Sequence, residues 1–116
     1  MAYVDGFLAA VPKANKDAYL AFSSAADALF RQWGATRVVE CWGDDVPKGS
    51  VTDFWRAVAA KDDEVVVFSW VEYPDKETRD AIQKRMMNDP EMAKLGELPL
   101  DGKRMVFGGF TPIVDV

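Results

Sequence analysis

Hydrophobic positions in this chain change period several times, and each change marks an element. Tyr3-Val4-Asp5-Gly6-Phe7-Leu8-Ala9-Ala10-Val11 has the length of a strand and is closed by Pro12, which has no N–H for a sheet ladder. Between Ala14 and Trp33, Tyr19, Phe22, Ala26, Leu29, Phe30 and Trp33 follow one another at steps of three, four, three, one and three, the signature of one helix face. Asn15 is placed to cap that helix, and Gly34 follows its last periodic residue, where a left-handed terminus favours glycine.

Ala35-Thr36-Arg37-Val38-Val39-Glu40-Cys41-Trp42 is rich in β-branched residues and is closed by the turn cluster Gly43-Asp44-Asp45, so it reads as a second strand. Val46 to Asp63 is less regular: Pro47, Gly49 and Ser50 mark turns, and Thr52 or Asp53 caps a short helix through Ala60. This connection is too long for a plain hairpin, and it carries Phe54, Trp55, Ala57 and Val58 with which to pack. Glu64-Val65-Val66-Val67-Phe68-Ser69-Trp70-Val71-Glu72-Tyr73 is the strongest strand signal, and Pro74-Asp75 ends it and caps a second helix containing Thr78, Ala81, Ile82, Arg85 and Met86. That helix breaks near Asn88-Asp89-Pro90, and Asp89 caps a further turn ending at Gly96. After a loop at Leu98 to Gly102, Lys103 to Val114 reads as a last strand with a bend or bulge at Gly108-Gly109.

Strand, helix, strand, strand, helix, strand is the order of an α+β, ferredoxin-like βαββαβ fold, with a four-stranded antiparallel sheet carrying both main helices on one face. The third strand adds a constraint. Val65, Val67, Ser69 and Val71 point one way and Val66, Phe68 and Trp70 the other, so both faces are apolar, while the helices cover one. An identical sheet from a second copy is the simplest cover for the other face, and a sheet-to-sheet homodimer is expected.

Composition narrows the chemistry. The chain has 116 residues, 49% of them hydrophobic, and is expected to fold as one domain over residues 1–116 without disulfide or metal. A net charge of −5 argues against nucleic-acid and membrane partners, which select basic surfaces. The absence of histidine removes the usual neutral-pH proton shuttle and the commonest metal and haem ligand. No cofactor or metal is therefore expected. The single cysteine, Cys41, and an amino terminus without a basic cluster or long apolar run fit a cytoplasmic protein.

The candidates for chemistry are few. Asp5 and Glu40 fall inside strands, where a carboxylate needs solvent, a cation or a pocket; buried, either becomes a general acid or base. The simpler account pairs them with Arg37, Arg104 or a backbone donor. Ser69 interrupts an apolar strand and could orient a ligand, or it is a satisfied core hydroxyl. Cys41 reads as a small buried apolar residue. Asp44, Asp45, Asp53 and the Lys61-Asp62-Asp63-Glu64 run serve turns and caps rather than a cation. Trp42, Phe54, Trp55 and Trp70, which surround the irregular segment, are the pocket candidates, and Arg104 could attract an anionic group or guard a strand edge.

Several blocks also resemble one family. Tyr3-Val4-Asp5-Gly6-Phe7, Glu40-Cys41-Trp42-Gly43-Asp44-Asp45-Val46-Pro47, Val67-Phe68-Ser69-Trp70, Asp101-Gly102-Lys103-Arg104-Met105 and Gly108-Gly109-Phe110 are similar to the bacterial YbaA-like family of unknown function. The resemblance spans essentially the whole chain and implies the dimeric α/β-barrel superfamily, in which two ferredoxin-like subunits pack their sheets together. Relatives there include cofactor-free monooxygenases, muconolactone isomerases, haem-degrading enzymes, chlorite dismutases and stress-responsive barrels. Those that hold haem through histidine are not models for this chain. Two functions follow as expectations: a small-molecule-binding protein with monooxygenase or isomerase activity on an apolar or aromatic compound, or a non-catalytic, stress-related dimer. An enclosed pocket with a convergent carboxylate and hydroxyl separates the first from the second.

Overall fold

Ten residues of β1 (Tyr3–Pro12) pair antiparallel with ten of β3 (Glu64–Tyr73), from Tyr3 opposite Tyr73 to Pro12 opposite Glu64, and the rest of the molecule is hung on this ladder. The computed structural model describes residues 2–116. β2 (Arg37–Trp42) adds to the free edge of β3, and β4 (Val106–Phe110) to the free edge of β1, giving the antiparallel order β2-β3-β1-β4. This is the ferredoxin-like α+β fold that the element order predicts.

α1 (Lys16–Trp33) and α3 (Lys76–Asn88) pack on one face. Tyr19 of α1 closes on Ala9, Val11 and Val67, while Ile82 of α3 joins Ala35, Val71 and Tyr73. Gly34 ends α1 with φ +128°, a backbone region that costs glycine little. Asp75 and Asp89 cap α3 and the short α4 (Pro90–Ala93) as expected, accepting from Thr78 N at 2.7 Å and Glu91 N at 2.8 Å.

The long connection between β2 and β3 crosses to the other face. There α2 (Phe54–Ala57), capped by Asp53, and the residues after it bring Val58 and Trp55 onto Ala10, Val66 and Leu8. Only one end of that face is covered. Phe68 and Phe110 remain 47% and 60% exposed, beside Phe54 and Val106.

Four sequence expectations change. Asn15 does not cap α1 with its side chain; a 3-10 turn over Lys13–Asn15 precedes the helix, and the Asn15 amide donates to the Pro99 carbonyl at 3.0 Å. β4 is shorter than Lys103 to Val114, because Asp101 caps a 3-10 turn over Gly102–Arg104 and turns the chain before the strand. Gly108-Gly109 forms no bulge: the β1–β4 register runs through both residues. Gly109 instead leaves room for the Tyr3 hydroxyl and the Arg79 guanidinium, which a Cβ would strike. Cys41 is exposed, because alternation on edge strand β2 directs it away from the helices.

Arg104 is held rather than free. Its guanidinium grips buried Glu64 with two bonds of 2.7 Å, and also reaches Asp101 at 3.0 Å and the Ala59 carbonyl at 2.9 Å. These bonds from Arg104 hold the Glu64 carboxyl at about 2, below its usual 4.5, against the opposing effect of burial. A lowered acid pKa stabilises the folded state above pH 4.5, and that contribution is lost as pH falls through 4.5 toward 2. Urea titrations of Glu64→Gln between pH 2 and 6 should show lower stability near neutrality and a flatter acid limb than the wild type; parallel curves would contradict this assignment.

Candidate functional site

Between the sheet and the two long helices lies a cavity of about 380 Å³. Strand residues Phe7, Ala9, Glu40, Ser69 and Val71 form its floor, and Phe22, Ala26 and Phe30 of α1 form one wall. Its roof is Met86 of α3, Met92 of α4, and Leu98, Leu100 and Met105 from the segment that Asn15 ties to α1 through Pro99. The lining is mainly apolar. Polar groups gather at two ends.

At one end Asp5, 1% exposed, accepts from the Tyr73 hydroxyl at 2.7 Å, from Arg79 Nε at 3.0 Å and from Gln83 Nε2 at 3.3 Å. Arg79 Nη2 lies 3.0 Å from the same carboxylate, while its Nη1 reaches Asp80 at 3.0 Å. A buried carboxylate in water's absence requires this degree of compensation. Burial first, and then the bond to Asp5, push the Tyr73 hydroxyl well above its ordinary range, so it stays a proton donor.

The other end has no cation among its lining residues. Tyr19, Ser23 and Asp27 stand four residues apart on α1, so they form one stripe facing Glu40 of β2. The Tyr19 hydroxyl donates to Glu40 Oε1 at 2.5 Å, and burial followed by this bond raises its pKa above the tyrosine range. Burial is also the first cause that raises Asp27, from 3.8 to about 8; the charge of Glu40 and a carboxyl–carboxyl hydrogen bond with it add to the shift. Asp27 is therefore largely protonated at neutral pH and is placed to donate toward Glu40. Ser69, paired with Glu40 across the β2–β3 ladder, is 6% exposed and presents its hydroxyl to the cavity.

Three of the residues singled out by sequence, Asp5, Glu40 and Ser69, thus share one cavity, and neither carboxylate uses Arg37 or Arg104. Arg37 approaches Glu72 instead. Trp70 lies on the opposite face, because it follows Ser69 in β3; it stacks edge-on with Phe68, which meets Phe54 in the same way. Trp55 covers the far end of that face, with Nε1 donating to the Val46 carbonyl at 2.9 Å. Trp42 is on the helix side but packs beside Tyr19 under Lys16, outside the cavity lining. Arg104 is spent on Glu64.

The family model described as "Protein of unknown function (DUF1428)" matches residues 2–102. The chain belongs to this family. It is 57% identical over 116 residues to "Uncharacterized protein YbaA" of Escherichia coli (strain K12), and equally to that of Shigella flexneri, covering 99% of this chain and of each relative. Among solved structures it is similar to a "dimeric ferredoxin-like protein" from an uncultured marine organism, with a TM-score of 0.56 and 11% identity. It is also similar to Rv0793 from Mycobacterium tuberculosis, with a TM-score of 0.56 and 13% identity; both likenesses cover 99% of this chain and 98% of the other. At such identities they show the fold alone.

Within this DUF1428 chain, sequence reasoning missed Asp27, Ser23, Tyr73, Arg79 and Gln83. A signal existed for some. Tyr19, Ser23 and Asp27 are spaced at four residues along the buried arc of α1, and Arg79 and Gln83 adjoin Ile82's face of α3. The raised acid pKa of Asp27 stabilises the folded state at low pH, and that contribution is lost as pH rises from about 4 through 8. Asp27→Asn should remove this decline, whose slope is at most about 1.4 kcal/mol per pH unit for one proton. Chemical denaturation from pH 4 to 9 reads it directly; an unchanged slope would mean that the Asp27 carboxyl is not raised by its burial beside Glu40.

Proposed function

We propose that the chain works as one-domain subunits of a sheet-to-sheet homodimer, each with its helix-side cavity binding a small, largely apolar or aromatic molecule and transferring a proton on it. The observation that carries this reading is the meeting of two carboxyl groups, Glu40 and the raised-pKa Asp27, with a tyrosine and a serine hydroxyl in an otherwise apolar cavity. Glu40 is the base, Asp27 the proton partner, and Tyr19 the donor that steadies the carboxylate. Proton transfer completes an isomerisation, and it is also the first step of cofactor-independent oxygenation at an acidic carbon. An isomerase is favoured, because these side chains account for its whole reaction.

The homodimer rests on the exposed aromatic face of β3, β1 and β4, on which Phe68, Trp70 and Phe110 stand. The description of one structural neighbour as dimeric agrees with it. Light scattering at micromolar concentration should give twice the 12.9 kDa subunit mass for the wild type and a monomer for Phe68→Glu. A wild-type monomer would remove the dimer from the proposal.

Ligand-observed NMR in D2O with a library of small aromatic compounds tests the cavity. Compounds that bind should exchange a carbon-bound proton for deuterium, and Glu40→Gln should reduce that exchange by about a hundredfold or more. Binding without exchange would favour the non-catalytic, stress-related dimer, and no binding would end the small-molecule reading.

A further inference from the structure

The two polar ends of the cavity are not equivalent in charge. By the spacings of a β-sheet, Asp5 and Glu40 lie roughly 12 Å apart at their Cα atoms, two strands over and two residues along. Asp5 has its counter-charge in Arg79. The Asp27–Glu40 end has only hydroxyl and carboxyl donors around it: Tyr19 and Ser23 from α1 and Ser69 from β3, while Lys16 sits over the Trp42 ring and Arg79 is engaged at the far end. No lysine or arginine lines the cavity.

We infer that this end of the cavity takes the ammonium head of an apolar amine, a ligand class that deepens the binding half of the proposed function and rests on it. Two carboxyl groups meet here with no cation in the lining, and a carboxyl withdrawn from water is stabilised when a cation arrives. Oxygens of Glu40, Asp27 and the Ser69 hydroxyl line this end of the cavity. The last is nine-tenths buried, opens on the cavity and makes no side-chain hydrogen bond among the described residues. A primary ammonium has three N–H donors to match. The aromatic walls Phe7, Phe22 and Phe30 suit the apolar body and add cation–π attraction near the head. No group of three or more metal-binding side chains occurs among the described residues.

Isothermal titration calorimetry at pH 7 with 2-phenylethylamine, 2-phenylethanol and phenylacetate, which share a body and differ in the charge of the head, tests this. The amine should bind at least about tenfold more tightly than the alcohol, a difference of about 1.4 kcal/mol, and phenylacetate should be weakest. Glu40→Gln should bring the amine down to the alcohol's affinity without weakening the alcohol, and Ser69→Ala should lower amine affinity severalfold. Ala26→Leu, which fills the cavity, should abolish both; amine binding that survives it is surface attraction to an acidic protein and overturns the inference. Equal affinity for amine and alcohol in the wild type overturns the ammonium site but leaves the cavity reading intact. Failure of all three probes to bind at millimolar concentration overturns both.

Discussion

Everything distinctive in this structure depends on the two-residue repeat of β3 held against β1. A strand fixes which side chains share a face, and ten consecutive paired residues leave no freedom to slip. Ser69 and Val71 are committed to the helices, while Phe68 and Trp70 are committed to the other side. The same register aligns Asp5 with Val71 and Phe7 with Ser69, and through β2 it brings Glu40 beside Ser69. A slip of β3 by one residue would turn Phe68 and Trp70 under the helices and Ser69 and Val71 outward. The cavity and the apolar outer face are therefore two results of one pairing.

This is why the fold was legible from sequence. β3 announces itself over its full length, Glu64 to Tyr73, and its double-sided apolar pattern marks a face that the helices leave bare. Asp5, Glu40 and Ser69 were visible for the same reason: polar residues in apolar strands break a local pattern. The partners of those residues were not visible. Arg79, Gln83 and Asp27 lie on helices, where polar residues are ordinary, and only the packing of α1 and α3 on the sheet turns them inward. Aromatic residues misled in the opposite way. Trp70 and Phe54 were grouped with the pocket by nearness in sequence to the irregular segment, whereas strand parity and the crossing of that segment set them on the outer face.

Two ways of withdrawing a carboxyl from water coexist roughly 12 Å apart in the sheet. Asp5 is held by Tyr73 and neutralised by the Arg79 guanidinium, which also ties α3 to β1. Glu40 is met by the Tyr19 hydroxyl and a second carboxyl, an arrangement that supplies no counter-charge. The first is a fastening. The second holds a carboxyl whose protonation state changes near neutrality, at a cost in stability when the proton leaves.

The cavity roof differs in kind from its floor. Strand residues are locked by ladder hydrogen bonds, but Met86, Met92 and Met105 cover the opening with unbranched thioethers that rotate about three bonds and re-pack at small cost. Shape is consequently a weak filter on that side: molecules of unlike outline can be wrapped by the same sulfur-rich surface, and selection among them falls to the polar groups fixed at the two ends.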